Sequence, residues 1–457
     1  MEAILLHYHD TIAAVATSPG EGGIAVIRIS GPQSKKAAQV CFMPNRAKGL
    51  RARMFTFGRV LDSQNDVIDE AMAVFLPAPH TYTREDIVEI QCHGGRGAPA
   101  RVLERLIETG LVRAAEPGEF TKRAFLNGRI DLSEAEAVMG MIKAGSQAAA
   151  RAAARQMEGG VSHFVRETRK KLEELLALVS AATDFPEEID EDVTARRVLE
   201  SAREIRAEIE KKSDQKAARA VREGVSIVLA GKPNVGKSSL MNAAAGFERA
   251  IVSDIPGTTR DVLTERISFR GVSAELSDTA GQRETPEAIE AIGVERARRT
   301  EENADAVLLV IDSLRPLDSE DEALLSRADE RYIAVVNKTD LTPVVRAAEI
   351  TARFGVEAIE VSAHTGEGVE KMLEMAFEKC GAGARPEDGM VAARHIECAQ
   401  RAANALRQLE ETIEGFGPLD IVTDDLWRAM YALSEITGED ASEDVIDAVF
   451  ANFCVGK

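Results

Sequence analysis

The sequence predicts a multidomain fold: an N-terminal α+β domain, a helical domain, and an α/β domain inserted into the helical one. Three observations predict it. The apolar period changes from strand-like to helical near residue 121. Strands and helices alternate from 221 to about 380, and the helical period then returns after a Gly-Ala-Gly-Ala-Arg-Pro linker at 381–386. A phosphate-loop motif opens the alternating stretch. The expected boundaries are 1–120, 121–220, 221–380 and 381–457. With 457 residues the chain has room for two to four domains at roughly 100–200 residues each.

In the first segment, Ile24 to Ile29, Ala71 to Phe75 and Ile87 to Ile90 are short β-type runs separated by longer stretches, as in an α+β domain. In the second, Val161, Phe164, Val165, Thr168, Leu172, Leu175, Leu176 and Val179 recur at three- and four-residue steps on one helix face. Asp184-Phe-Pro-Glu-Glu188 breaks that helix, and Val198, Ala202, Ile205 and Ile209 define the next. In the third, Val225 to Ala230, Val307 to Ile311, Ile333 to Val336 and Ala358 to Val361 have the spacing of α/β strands. Arg266 to Ser277 reads as a hairpin about Arg270-Gly271. After the linker, Ile396, Ala399, Ala403, Leu406, Leu409 and Ile413 mark another helix.

Apolar residues make up 45% of the chain, enough for packed cores. The net charge of −20 excludes a simple electrostatic wrapper of nucleic acid, though not a local basic site or a nucleic acid held jointly with a partner. Aromatics at 4% argue against a large base-stacking platform. Five scattered cysteines (Cys41, Cys92, Cys380, Cys398 and Cys454) with no C-x-x-C spacing argue against a disulfide framework or structural zinc and fit a reducing, cytoplasmic setting. No basic stretch precedes an apolar run at the start, and no run reaches the ~18–20 residues of a membrane span, so neither a signal peptide nor a membrane is expected.

Gly231-Lys-Pro-Asn-Val-Gly-Lys-Ser238 matches G-x-x-x-x-G-K-[ST] between a predicted strand and a predicted helix. Backbone N–H groups of Asn234, Val235, Gly236, Lys237, Ser238 and Ser239 are placed to cradle phosphates. Lys237 supplies a point charge and Ser238 a hydroxyl for Mg²⁺. Asp278-Thr279-Ala280-Gly281 ends the hairpin, with Asp278 toward Mg²⁺ and Gly281 toward the γ-phosphate. Asn337-Lys338-Thr339-Asp340 follows the strand at 332–336. A carboxylate at Asp340 accepts from guanine N1–H and its 2-amino group; adenine offers neither donor, so GTP is expected over ATP. Ser362, Ala363 and His364, beyond the next strand, support the base edge. Ser253, Asp254, Ile255, Pro256, Gly257, Thr258 and Thr259 form the expected switch, with Thr259 the second hydroxyl on Mg²⁺.

Together these motifs resemble the translation-factor-like GTPases, which makes the inserted domain a P-loop GTPase domain. Further segments resemble one family closely: Asp10-Thr-Ile-Ala, Gly22-Gly23 with Arg28-Ile-Ser-Gly31, Tyr82-Thr-Arg-Glu-Asp86, Pro117-Gly-Glu-Phe-Thr121, Arg123 to Leu132, Leu433-Ser-Glu-Ile-Thr-Gly438 and Phe453-Cys-Val-Gly-Lys457. They are similar, over essentially the whole chain, to the MnmE (TrmE) family of tRNA uridine-5-carboxymethylaminomethyl modification GTPases.

The resemblance implies an N-terminal domain that mediates homodimerisation and binds 5-formyl- or 5,10-methylene-tetrahydrofolate. Arg28, Glu89, Arg129 and Lys457 correspond to the family's folate contacts. Cations and one carboxylate suit a ligand with a carboxylate tail and a pterin edge. Asn234, Ser253, Ile255 and Thr258 correspond to the K⁺ site, with Ser253 in place of the more usual Thr. Two residues contend for orienting the attacking water: Glu290, by the family's spacing, and Gln282, where Ras-like enzymes keep a glutamine and most family members an apolar residue. Cys454 is either a small structural residue or a thiolate acting near the folate. With a flavin-dependent MnmG-type partner, as a heterotetramer, the family modifies C5 of the wobble uridine of certain tRNAs.

A GTP-switched ribosome-assembly factor is the competing expectation; the folate residues and the C-x-G-K segment have no use there. A scaffolding dimer with a vestigial site is disfavoured by intact Lys237, Ser238, Thr259 and Asp278. Gly94-Gly95-Arg96-Gly97 matches the loop of a KH domain, but the preceding β-type run makes it a strand-to-helix turn. His7, His9 and His93 lack metal-ligand spacing, and the acids from Asp184 to Asp192 read as a solvated bend.

Overall fold

Alternation of apolar side chains decides the first sheet. The computed structural model describes residues 10–46, 49–246, 264–278, 299–383 and 388–456. Its chain packs as two units: Met1–Met139 with Ser162–Val165 and Ser434–Lys457, and Gly140–Val161 with Arg166–Leu433.

The first unit holds seven strands: β1 (Ile12–Val15), β2 (Ile24–Ser30), β3 (Phe42–Pro44), β4 (Thr56–Leu61), β5 (Val67–Leu76), β6 (Ile87–His93) and β7 (Arg113–Ala114). Their order is β3-β4-β5-β6-β2-β1-β7, antiparallel except for the β1–β7 pair. Ile27, Ile29, Val60, Ala73, Val88 and Ile90 point to one face. There they bury Ala37, Ala38 and Cys41 of helix Ser34–Cys41 and Val102 and Leu106 of helix Gly97–Glu108. Because side chains alternate, Arg28 and Glu89 fall on the other face, opposite each other in the β2–β6 register. That face carries a small cluster of Ile12, Ala14, Ala115 and Phe120 with Tyr82 packed on it. Phe450 and Ile446 of helix Glu443–Ala451 bury against Leu132, Ala135 and Met139, with Phe453 beside them.

In the second unit, helices Glu191–Lys212 and Ala393–Glu414 pack together through Val198, Ala202, Ile205 and Ile209 on one and Ile396, Ala399, Ala403, Leu406 and Leu409 on the other. Arg206–Glu410 at 2.6 Å and Arg407–Glu210 at 2.8 Å rim the seam. Helix Gly160–Asp184 ends at the expected break, and Asp190 caps the next helix by accepting from Val193 N–H at 3.0 Å.

The α/β sheet of this unit has six strands: β8 (Val225–Ala230), β9 (Thr264–Phe269), β10 (Val272–Asp278), β11 (Ala306–Asp312), β12 (Tyr332–Asn337) and β13 (Ala358–Glu360). Their order is β13-β12-β11-β8-β10-β9, all parallel but β9. The near-continuous apolar runs of β8, β11 and β12 follow from burial on both faces. The β9–β10 hairpin turns on Arg270 and Gly271 with φ of 53° and 85°, the two positive values a tight primed turn needs. Its strands run slightly beyond the expected 266–277.

Candidate functional sites

Parallel strands put their C-terminal ends, and the loops that follow, on one edge of the sheet. The phosphate loop follows β8 and runs into helix Lys237–Ala245. Gly236 has a φ of 100°, and a Cβ there would lie 2.3 Å from the Asn337 side-chain nitrogen, so a larger residue would displace the base-side loop. Lys237 is buried, its Nζ donating to the carbonyls of Gly231 at 2.7 Å and Lys232 at 2.8 Å. Burial pushes its ammonium below the usual lysine value, against the opposing pull of Asp278. Ser238 Oγ donates to Asp278 Oδ2 at 3.1 Å.

The segment after β12 is tied to the same loop. Asn337 Nδ2 donates to the Val235 carbonyl at 2.9 Å, and its Oδ1 accepts from Ala363 N–H at 3.0 Å. Lys338 Nζ reaches the Asn234 carbonyl at 3.1 Å and Asp312 Oδ2 at 2.7 Å. Thr339 Oγ1 donates to the Val361 carbonyl at 2.9 Å. Ser362 Oγ donates to Asp340 Oδ1 at 2.7 Å, fixing an exposed carboxylate; His364 is exposed beside it. Asn234 through Ser239, Asp278, Asn337 through Asp340 and Ser362 through His364 thus belong to one constellation. Lys338 is thus a clamp between two loops, and its partner Asp312 is a residue that the sequence does not single out, since no motif marks it.

In the first unit Arg28 Nε donates to Glu89 Oε1 at 2.9 Å, each side chain 20% exposed. The Arg28 guanidinium lies 5.5 Å from the Tyr82 ring centre and 5.8 Å from that of Phe120. Arg129 lies over the same Tyr82 ring at 4.6 Å and donates to the Tyr82 carbonyl at 2.9 Å. Two of the four expected folate contacts, Arg28 and Arg129, therefore share one tyrosine, and a third, Glu89, pairs with Arg28. Cys454 has an exposed thiol; its carbonyl accepts from Gly118 N–H at 3.4 Å, and Val455 bridges to Pro117.

Beneath this surface lies a charged network that sequence reading missed. Arg123, 1% exposed, donates to Asp10 Oδ1 at 2.7 Å, Glu119 Oε1 at 2.9 Å and Glu85 Oε1 at 3.2 Å. Arg113 donates to Glu119 at 2.6 and 2.8 Å. Burial works against the Glu119 carboxylate, but the Arg113 and Arg123 hydrogen bonds outweigh it and hold that carboxyl below its usual range. Four of the segments that carry the family resemblance, those holding Asp10, Glu85, Glu119 and Arg123, meet at this point.

Ser253, Asp254, Ile255, Pro256, Gly257, Thr258, Thr259, Thr279, Ala280, Gly281, Gln282, Glu290 and Lys457 lie outside the described residues. Among the described residues no helix is long and apolar enough to cross a membrane.

A family described as the GTP-binding protein TrmE N-terminus matches residues 11–129, and one described as the MnmE helical domain matches 132–454. A tRNA modification GTPase MnmE of Symbiobacterium thermophilum is 42% identical, over 98% of this chain and 99% of the relative. Those of Geobacillus kaustophilus and Acetivibrio thermocellus are 43% and 40% identical, over 98% and 99% of this chain and 99% and 100% of theirs. Identity of this order over nearly the whole length of both chains places the chain in the MnmE family of tRNA modification GTPases.

Proposed function

We propose that this chain hydrolyses GTP to GDP and phosphate and couples that reaction to modification of C5 of the wobble uridine of certain tRNAs. The observation that carries this is the bridging of phosphate loop and base loop by Asn337 and Lys338 in an MnmE-family chain whose N-terminal unit presents Arg28, Glu89 and Arg129 together.

Asp340, oriented by Ser362, accepts from guanine N1–H and the 2-amino group. Lys237 exchanges the Gly231 and Lys232 carbonyls for the β- and γ-phosphates, which compensate its charge better than two carbonyls do. Ser238 and Asp278 already place two hard oxygens together, a donor pair that fits Mg²⁺; when bound, the ion offsets phosphate charge. Thr259 is assigned the second hydroxyl. Asn234, in the left-handed region with a φ of 64°, is assigned with Ser253, Ile255 and Thr258 to K⁺. Glu290 is assigned to orient the attacking water, so that Glu290→Ala abolishes hydrolysis while GTP still binds. Unchanged turnover in that variant, with loss in Gln282→Ala, would move the role to Gln282.

Arg28, Glu89 and Arg129 suit a tetrahydrofolate: two cations for the carboxylate tail and a carboxylate for pterin N–H groups. Lys457 and the Cys454 thiol are assigned to the same site. The one-carbon unit of that folate, a flavin-dependent MnmG-type partner, tRNA and a second copy of this chain complete the proposed cytoplasmic assembly.

Nucleoside mass spectrometry of bulk tRNA from cells with and without the gene tests the proposal. The expected result is loss of aminomethyl- or carboxymethylaminomethyl-type wobble uridines, restored by wild type and not by Lys237→Ala. An unchanged tRNA profile with accumulating ribosomal precursors would favour an assembly factor instead.

A further inference from the structure

The two cations Arg28 and Arg129 come from places far apart in the chain, one in β2 and one after helix Glu119–Leu126. Arg28 has an ion-pair partner in Glu89. Arg129 is exposed, and the described contacts of its side chain are both to Tyr82: the ring, 4.6 Å from its guanidinium, and the Tyr82 carbonyl. The Tyr82 ring has Arg28 5.5 Å from its centre as well. It is held by the apolar cluster of Ile12, Ala14, Ala115 and Phe120 and by its hydroxyl, 2.9 Å from Thr121 Oγ1. Two guanidiniums sharing one ring repel each other; the negative faces of the ring offset that repulsion and fix where each charge sits.

We propose that Tyr82 is a positioning residue: through its ring, and not its hydroxyl, it holds Arg28 and Arg129 in place to receive an anionic, flat-ringed ligand. The inference rests on the folate reading of this surface. It adds a residue whose motif gave no sign of this role, since Tyr82 stands among polar neighbours as an ordinary half-buried aromatic.

Calorimetric titration of the full chain with 5-formyl-tetrahydrofolate tests it, comparing wild type with Tyr82→Leu, Tyr82→Phe and Arg28→Ala. Tyr82→Leu keeps apolar bulk and loses the π face, and affinity should fall about tenfold. Tyr82→Phe loses only the bond to Thr121 and should stay within about twofold of wild type. Equal losses in the two tyrosine variants would make the hydroxyl or local packing responsible and overturn the inference. Wild-type affinity in Tyr82→Leu, with loss in Arg28→Ala, would overturn it while leaving the folate site standing. Wild-type affinity in Arg28→Ala would remove the folate reading itself, and this inference with it. Matching thermal midpoints for the two tyrosine variants ensure that misfolding is not what is read; if the leucine variant melts lower, Tyr82→Met takes its place with the same expected loss.

Discussion

The nucleotide site and the Arg28–Glu89 surface are built in opposite ways. Every described part of the nucleotide site sits at or just past the C-terminal end of a parallel strand: the phosphate loop after β8, Asp278 at the end of β10, Asn337 at the end of β12 and Ser362 just past β13. Sheet topology alone brings them to one edge. The N-terminal surface has no such edge. It is assembled by register across antiparallel strands and by charges gathered on one buried guanidinium, with exposed Asp10 and half-buried Glu85 both meeting Arg123. On the proposed reading, function in the first region depends on a few atoms at strand ends; in the second it depends also on the charged network around Arg123.

The strongest way to break this contrast is Lys237→Ala. Its Nζ is buried against loop carbonyls and is the one described cation aimed at the phosphates in the proposed mechanism. GTP turnover should fall by roughly 10²–10³-fold or more, followed by phosphate release, with the melting of the fold little changed. A large drop in stability would instead give this site a foundation like the other's.

Asp340→Asn comes next. It replaces an acceptor for two guanine donors with an amide that satisfies only one, so GTP affinity should fall about 10²-fold. Xanthosine triphosphate, which carries a carbonyl where guanine has its amino group, should gain. Competition binding with the two nucleotides reads this; an unchanged preference would remove Asp340 from base recognition.

In the other region the large effect should be on stability. Arg123→Ala leaves Glu85 and part of the Glu119 environment buried without a cation, at a cost of about 3 kcal/mol. Denaturant unfolding of the full chain should show the loss confined to one transition. The same network sets an acid limit. Glu119 and Asp10 both have carboxyls held below the usual range: burial opposes this, and arginine hydrogen bonds prevail. Lowered folded-state values mean the stabilisation is fully present above the ordinary carboxylate pKa and is lost as pH falls below about 4. Arg123→Ala should weaken that acid dependence; an unchanged pH profile would show that the network titrates as it would unfolded.

These two modes of construction explain what was legible in the sequence. Strand-then-loop adjacency let the phosphate and base motifs, the hairpin turn and the long amphipathic helices be read from residue type and spacing. The strands β1, β3, β4 and β7 were not named: β1, β3 and β7 have two to four residues, too few to show a period, and β4 buries Thr56 and Gly58 while exposing Phe57, which hides its alternation. Arg113 and the cation-bearing ring of Tyr82 were invisible for another reason. Their partners lie in other segments, and only the register brings them near. Asp312 shares that fate inside the otherwise legible site, as its pairing with Lys338 spans two loops.

The smallest effect should come from the C-terminal segment, and it separates the two modes most finely. Gly456 has a φ of 96°, and a Cβ there would lie 2.4 Å from the Val15 carbonyl and 2.9 Å from the Ala16 Cα. Both are backbone atoms and neither can swing aside. Gly456→Ala therefore displaces the segment from the β1 edge without removing any group proposed to act on ligand. The core made by Phe450, Phe453 and Leu132 lies on the far side of Cys454 in sequence and should hold, so the melting midpoint should move by only a few degrees. Carboxypeptidase trimming of the residues after Cys454 should become severalfold faster, because undocking a short segment costs far less than unfolding the unit. If the variant also loses tRNA modification while keeping GTP turnover, the position of Cys454 is set by backbone fit at Gly456. If modification persists with the segment undocked, Cys454 acts, if at all, without that support, and the buried network alone shapes the surface.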